Sequence, residues 1–230
     1  MNEVGDRAAF LAKARERLGG GTTVNAVHVP PQPTAVPPEV RFTALDPVDL
    51  VGSFVAVATE VDAVVHRIGA DGVDAKVIDL ARQHGARRVV RSAEPALDPI
   101  AAALTEAGVT VDPYDPATGA VAQMGLTGAV AGVAATGSLV LDASVAGSRA
   151  AGLLPPVHVC VLREDQLVAT PADVLHPLRG GAPSSLVLVG GPSRTGDVEQ
   201  ILTLGVHGPR HVHIVLVDQR ADGVVVASDS

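Results

Sequence analysis

The 230-residue chain reads as an α/β protein: a doubly wound, mainly parallel sheet carrying a hairpin insertion. Three observations predict this. Short Val/Ile/Leu runs alternate with Ala/Leu-rich amphipathic segments from Asp46 onward, and Gly or Pro separates most of them. Aromatics make up only 2% of residues and Trp is absent, so branched aliphatics must fill the core. Such β-branched runs suit strands buried on both faces.

Each element follows from local pattern. Ala8, Leu11 and Leu18 share one face of an amphipathic helix over Asp6 to Leu18, which stops at Gly19-Gly20-Gly21. Pro30, Pro31, Pro33, Pro37 and Pro38 then exclude helix and central strand, which leaves an extended arm. Residues 1–45 are therefore read as a helix plus arm, and 46–230 as the α/β domain. Within it the pattern predicts a helix to Thr59, a strand Asp62 to Arg67, a helix Asp74 to His84 and a strand Ala86 to Arg91. Leu97, Ile100, Ala101 and Leu104 make the clearest helix face, ended by Gly108, and Val109 to Val111 is a strand. Ala131 to Thr136 and Ser138 to Asp142 form a hairpin about Gly137. A short helix near Ser148 to Ala151, a strand Val157 to Leu162 and a helix Pro171 to Leu178 follow. A strand Leu186 to Val189 leads into Gly190-Gly191-Pro192-Ser193-Arg194-Thr195-Gly196-Asp197-Val198-Glu199. Val198, Ile201, Leu202 and Val206 then predict a helix, and Val212 to Val217 the last strand.

Composition removes several function classes. A net charge of -8 with Lys13 and Lys76 as the only lysines argues against nucleic acid and against an anionic lipid surface. The N-terminus lacks a secretory h-region, which predicts a cytoplasmic protein. The uncharged stretch Ala117 to Leu141 is too rich in Gly and hydroxyls to read as a membrane span. The single cysteine, Cys160, lies in an apolar run and reads as a small hydrophobe. One thiol cannot assemble an iron-sulfur cluster, which takes about four thiolates.

The chemistry concentrates in the glycine-rich stretch. A strand, a glycine turn and a helix start would hold a small carboxylate or phosphate: Gly191 and Gly196 for close approach, Ser193 and Thr195 as donors, Arg194 as a planar fork. The same Thr195 serves equally as a helix cap, with Asp197 and Glu199 satisfying the helix's positive end. Asp197 and Glu199 are also the nearby carboxylates available for catalysis. His207, before Gly208-Pro209, reads either as a proton-transfer group or as a C-cap residue. Thr136, Gly137 and Ser138 would face this loop across the sheet's carboxyl edge, and Arg149 is a second carboxylate clamp. His211 and His213 share a strand face, but further ligands beside His207 are not evident, and no metal is assigned.

Taken together, Gly191-Pro192-Ser193-Arg194-Thr195-Gly196-Asp197-Val198-Glu199, Gly205-Val206-His207-Gly208-Pro209 and Ala134-Ala135-Thr136-Gly137-Ser138-Leu139-Val140 resemble the LUD-domain family, in its lactate utilisation protein C branch. The resemblance covers roughly Asp46 to Asp218. It implies a fold similar to the sugar-phosphate isomerase and CoA-transferase-like superfamily. It also implies a role in oxidising L-lactate to pyruvate, with no cofactor on this chain and iron-sulfur clusters on partner proteins. Ala135 stands where the family often has Glu, so no acid/base role from that position carries over. The alternatives are a stand-alone acyl or CoA transferase, a sugar-phosphate isomerase, or a regulatory module, with a homo-oligomer left open.

Overall fold

Valine-rich strands at the centre of the chain pair in parallel because each is followed by a crossover that returns the backbone to the same edge. A computed structural model describes residues 12–13, 49–147, 149–177, 183, 185–196, 202–204 and 207–218. Contacts divide the chain into two units, Met1–Arg41 and Phe42–Ser230. Of the first, Ala12 and Lys13 are described, both helical and exposed. The proline arm lies outside the described residues.

In the second unit, six strands form one sheet: β1 (Val64–Gly69), β2 (Arg88–Arg91), β3 (Thr110–Pro113), β4 (Met124–Gly128), β7 (Val157–Arg163) and β12 (His211–Asp218). Their order is β1-β12-β7-β4-β2-β3, and every pairing is parallel. The sheet is mainly parallel, as the sequence predicts. One face packs against helices α2 (Val73–Gln83) and α3 (Asp98–Glu106), whose Val77, Leu80, Ile100 and Leu104 meet Val89, Met124, Val159 and Val215. Helical spacing on one side and strand alternation on the other put these residues together.

The opposite face departs from a simple helix layer. Helix α1 (Leu50–Glu60) covers part of it through Phe54 and Ala58, both fully buried. A second sheet covers the rest, built from β5 (Ala131–Val133), β6 (Ser138–Asp142), β8 (Leu167–Val168) and β9 (Leu186–Val189) in the order β8-β5-β6-β9. The hairpin read from the sequence is the β5–β6 pair of this sheet. The strand at Leu186–Val189 joins it too, antiparallel to β6, instead of the central sheet. Cys160, Leu162, Ile214 and Leu216 supply the central sheet's side of this second core. Of the short helices, α4 (Pro116–Val121) joins β3 to β4 within the central sheet, α5 (Ala143–Ala146) follows β6 on the way from the second sheet to β7, and α6 (Pro171–Leu175) lies between β8 and β9 of the second sheet. The segment near Ser148 to Ala151 is a tight 3-10 turn, Arg149–Gly152.

One element is corrected outright. The helix expected beyond Asp197 does not span its predicted range, because Leu202–Leu204 is a strand, β11, paired antiparallel with β10 (Arg194–Gly196). Leu202 and Leu204 also fit a period of two, and pairing Thr195 with Thr203 favours strand over helix. Leu202–Leu204 therefore contributes no helix to this loop.

Candidate functional site

The sequence motifs meet at the amino edge of the central sheet, where α1 leads into β1 and the His207–Arg210 segment leads into β12. The turn between β5 and β6 places Gly137 against the last turn of α1, so tightly that a Cβ there would lie 2.4 Å from Ala58 N. Ser138 pairs with Val133 in the hairpin, and its Oγ lies 3.3 Å from where a Cβ on Gly190 would stand. Gly191, at φ +99°, turns the chain against the Val61 carbonyl, where no side chain fits. Ser193 N then donates to Pro209 O at 2.9 Å, and Ser193 packs on Gly208. Three segments far apart in sequence thus converge on one junction. The sequence placed this meeting at the carboxyl edge; the structure places it at the opposite edge, because the motif-bearing turns belong to the second sheet.

Two polar groups define its chemistry. The Arg194 guanidinium donates from Nη2 to Asp62 Oδ2, an exposed ion pair. Asp62 sits at φ 64°, the left-handed residue closing α1, with its N–H on Thr59 O and the Ala63 N–H on Ala58 O. Asp tolerates this conformation better than most residues, and the position aims a carboxylate at the loop. Thr136 Oγ1 is buried without a hydrogen-bond partner. Its neighbour Ser138 Oγ donates to the Thr136 carbonyl at 3.4 Å.

Of the other expected residues, His207 is exposed in a bend, not at a helix end. Thr195 and Gly196 lie on β10, and Arg149 opens the 3-10 turn; their side chains are outside the description. Asp197 and Glu199 lie outside the described residues altogether.

His211 and His213 do share a face, but their company is His66 and His84. His66 Nε2 is 3.2 Å from His213 Nδ1, and His213 Nε2 is 2.8 Å from His84 Nε2. His213 spends both ring nitrogens on neighbours, which makes a hydrogen-bonded chain of imidazoles, not a cage around one point. Burial first, then the neighbouring imidazoles and Lys76, depress His213 to about 4. Burial also lowers His66 and His84. Among the described residues no group of three or more His, Cys, Asp or Glu is arranged to hold a metal ion. Cys160 is fully buried, and burial pushes its thiol up to about 12, which disfavours the thiolate that ligation or attack requires.

Sequence reasoning missed Glu94, just past β2 at the carboxyl edge, whose Oε2 is buried without a partner. The available signal was an acidic residue at a strand-to-helix junction of a parallel sheet, where such folds bind ligands.

This parallel sheet, with helices on one face and on the other a second sheet that carries the signature turns, defines the class: an α/β protein. The chain belongs to the LUD-domain family, whose model matches residues 118–217. It is 39% identical over 97 residues to lactate utilization protein C of Deinococcus radiodurans, a match covering 40% of this chain and 45% of that one. It is 25% identical over 228 residues to lactate utilization protein C of Halalkalibacterium halodurans, covering 93% and 98%. An uncharacterized protein of Neisseria meningitidis serogroup B matches at 30% over 160 residues, covering 66% of each chain. The crystal structure of a DUF162 family protein from Deinococcus radiodurans superposes with a TM-score of 0.56 at 25% identity, covering 75% of this chain and 99% of that one. Among the described residues no helix is long and apolar enough to cross a membrane.

Proposed function

We propose that this chain is a lactate utilisation protein C-like subunit, taking part in oxidation of L-lactate to pyruvate beside iron-sulfur partner proteins, and that it holds the small carboxylate at the amino-edge junction. The observation that carries the reading is Arg194, presented at the meeting of three motif segments and held there by an exposed carboxylate, Asp62. A substrate carboxylate replaces Asp62 on the guanidinium, so one charge-assisted pair exchanges for another and Arg194 is never left uncompensated. The unpartnered Thr136 hydroxyl in the same junction is available to a second oxygen of the ligand. Removing two electrons from lactate needs an acceptor. Four thiolates would be needed to hold a cluster, and this sequence offers one buried thiol, so the reading assigns a cluster acceptor to other chains. The names of the Deinococcus and Halalkalibacterium relatives support the same system.

Thermal unfolding with L-lactate, pyruvate and inorganic phosphate tests this. Ligand at 100 times its dissociation constant stabilises by about 2.7 kcal/mol. Arg194→Ala abolishes the lactate shift, and Asp62→Gly, which removes the competing carboxylate and suits the left-handed backbone, enlarges it. Equal shifts in the wild type and Arg194→Ala would remove the junction from ligand binding.

A further inference from the structure

The carboxyl edge of the central sheet holds a pocket of about 460 Å³, and none of the described signature residues lines it. It opens where β4, β7 and β12 end and where α2 and α3 begin, between strands β1 and β2 that the sheet order separates. Ligands of open parallel sheets sit at this edge, outside the carboxyl ends of the strands. Its size is that of sites for drug-sized molecules. Val73, Leu97, Ile100, Val161 and Val217 make its walls apolar.

Two acids break this lining. Glu94 presents a carboxylate whose Oε2 is buried with no hydrogen-bond partner, packed beside Gly128, where an added Cβ would reach its Oε1 at 3.5 Å. Asp74 lines the pocket as well. The cation on the wall, Arg163, is already bound to Asp165 at 2.9 and 3.5 Å. An unpaired buried carboxylate oxygen is costly, and a donor brought by a ligand recovers that cost. The charge balance therefore repels carboxylates and phosphates and favours a donor.

We propose that this pocket is a second binding site, for a small, largely apolar molecule that carries a cationic or strongly donating nitrogen group, such as an amidine, amine or amino-heterocycle, directed at Glu94. The apolar body fills the space among Val73, Leu97, Ile100 and Val217, and the N–H groups satisfy the Glu94 carboxylate. Glu94 lies outside the residues that match the family model, whereas Gly128, Val161 and Val217 of the same pocket lie within them. No residue of the pocket belongs to the amino-edge junction, so the two sites are tested separately.

Benzamidine is the probe, with benzoate as its anionic counterpart, each titrated against the full chain by calorimetry and thermal unfolding. Benzamidine binding and a raised Tm are expected, with no response to benzoate. Glu94→Gln should weaken benzamidine at least tenfold, and Val145→Phe, which narrows the pocket from an exposed position on its rim, should weaken it without touching the carboxylate. No benzamidine binding, an equal response to benzoate, or affinity unchanged in both variants would overturn the proposal.

Discussion

Replacing Gly137 by Ala probes the contact on which the amino-edge junction is built. Gly137 adopts φ +60°, and an added Cβ would lie 2.4 Å from Ala58 N, 2.6 Å from Ala58 Cα and 2.8 Å from Val57 C. All three are backbone atoms of α1, so no side chain can rotate away. Relief to an ordinary contact of 3.4 Å requires the turn and α1 to part by about 1 Å. A gap of that size forfeits a quarter to a half of the dispersion energy across it, and here it opens beside the fully buried Phe54 and Ala58. The left-handed backbone alone costs Ala about 1–2 kcal/mol. Adding about 1–3 kcal/mol for overpacking gives a loss near 3 kcal/mol, or a drop in Tm of roughly 6–12 °C for a chain of this size. Gly85 supplies the control: its φ is +61°, and nothing lies within 4 Å of its Cβ position. Gly85→Ala therefore carries the backbone cost alone. Urea unfolding of both variants, read against the wild type, isolates the clash, because the unfolded-state effect of Gly→Ala is common to the two. If Gly137→Ala costs no more than Gly85→Ala, the turn does not press on α1 and the junction is misplaced.

Further consequences concern buried titratable groups. His158 is fully buried, shares a 2.8 Å hydrogen bond with Thr127 Oγ1, and has its pKa lowered from 6.5 to about 4 by burial. The unfolded chain takes up this proton first as pH falls, so stability is complete above about pH 6.5, declines as pH drops toward 4, and loses about 3 kcal/mol from this group. Urea midpoints between pH 4 and 8 should show the decline, and His158→Gln should flatten it; an unchanged slope in that variant would assign the effect to His213 instead. Cys160 should resist a thiol-specific disulfide reagent at pH 8 in the native protein and react on addition of urea, because burial holds the thiol protonated and out of reach. Rapid stoichiometric labelling without denaturant would contradict its placement in β7.

Much of the framework was legible in the residues themselves. Helices α2 and α3, strands β1, β2, β7 and β12 and the β5–β6 hairpin fall within a few residues of where periodicity and glycine breaks put them. Strand β4 was not resolved from the weakly apolar Gly/Ala/Thr stretch around it, since its Met124–Gly128 run offers no alternation to read. The helix expected after Arg194 failed because Leu202 belongs both to the helical set Val198, Ile201, Leu202 and Val206 and to the alternating pair Leu202 and Leu204, and only the partner strand decides between them.

The linear sequence determined the parallel α/β class, the glycine-turn motifs and the lack of thiolates for a cluster, because these depend on local periodicity, backbone freedom and atom counts. Tertiary structure alone decided which sheet each strand joined, that the motif turns gather at the amino edge, that Asp62 holds Arg194, and that Glu94 faces an apolar pocket. Those facts come from non-local pairings, the longest of which, β1 with β12 and Asp62 with Arg194, join residues more than 100 positions apart, and no local pattern encodes the partner that a strand or charge will meet.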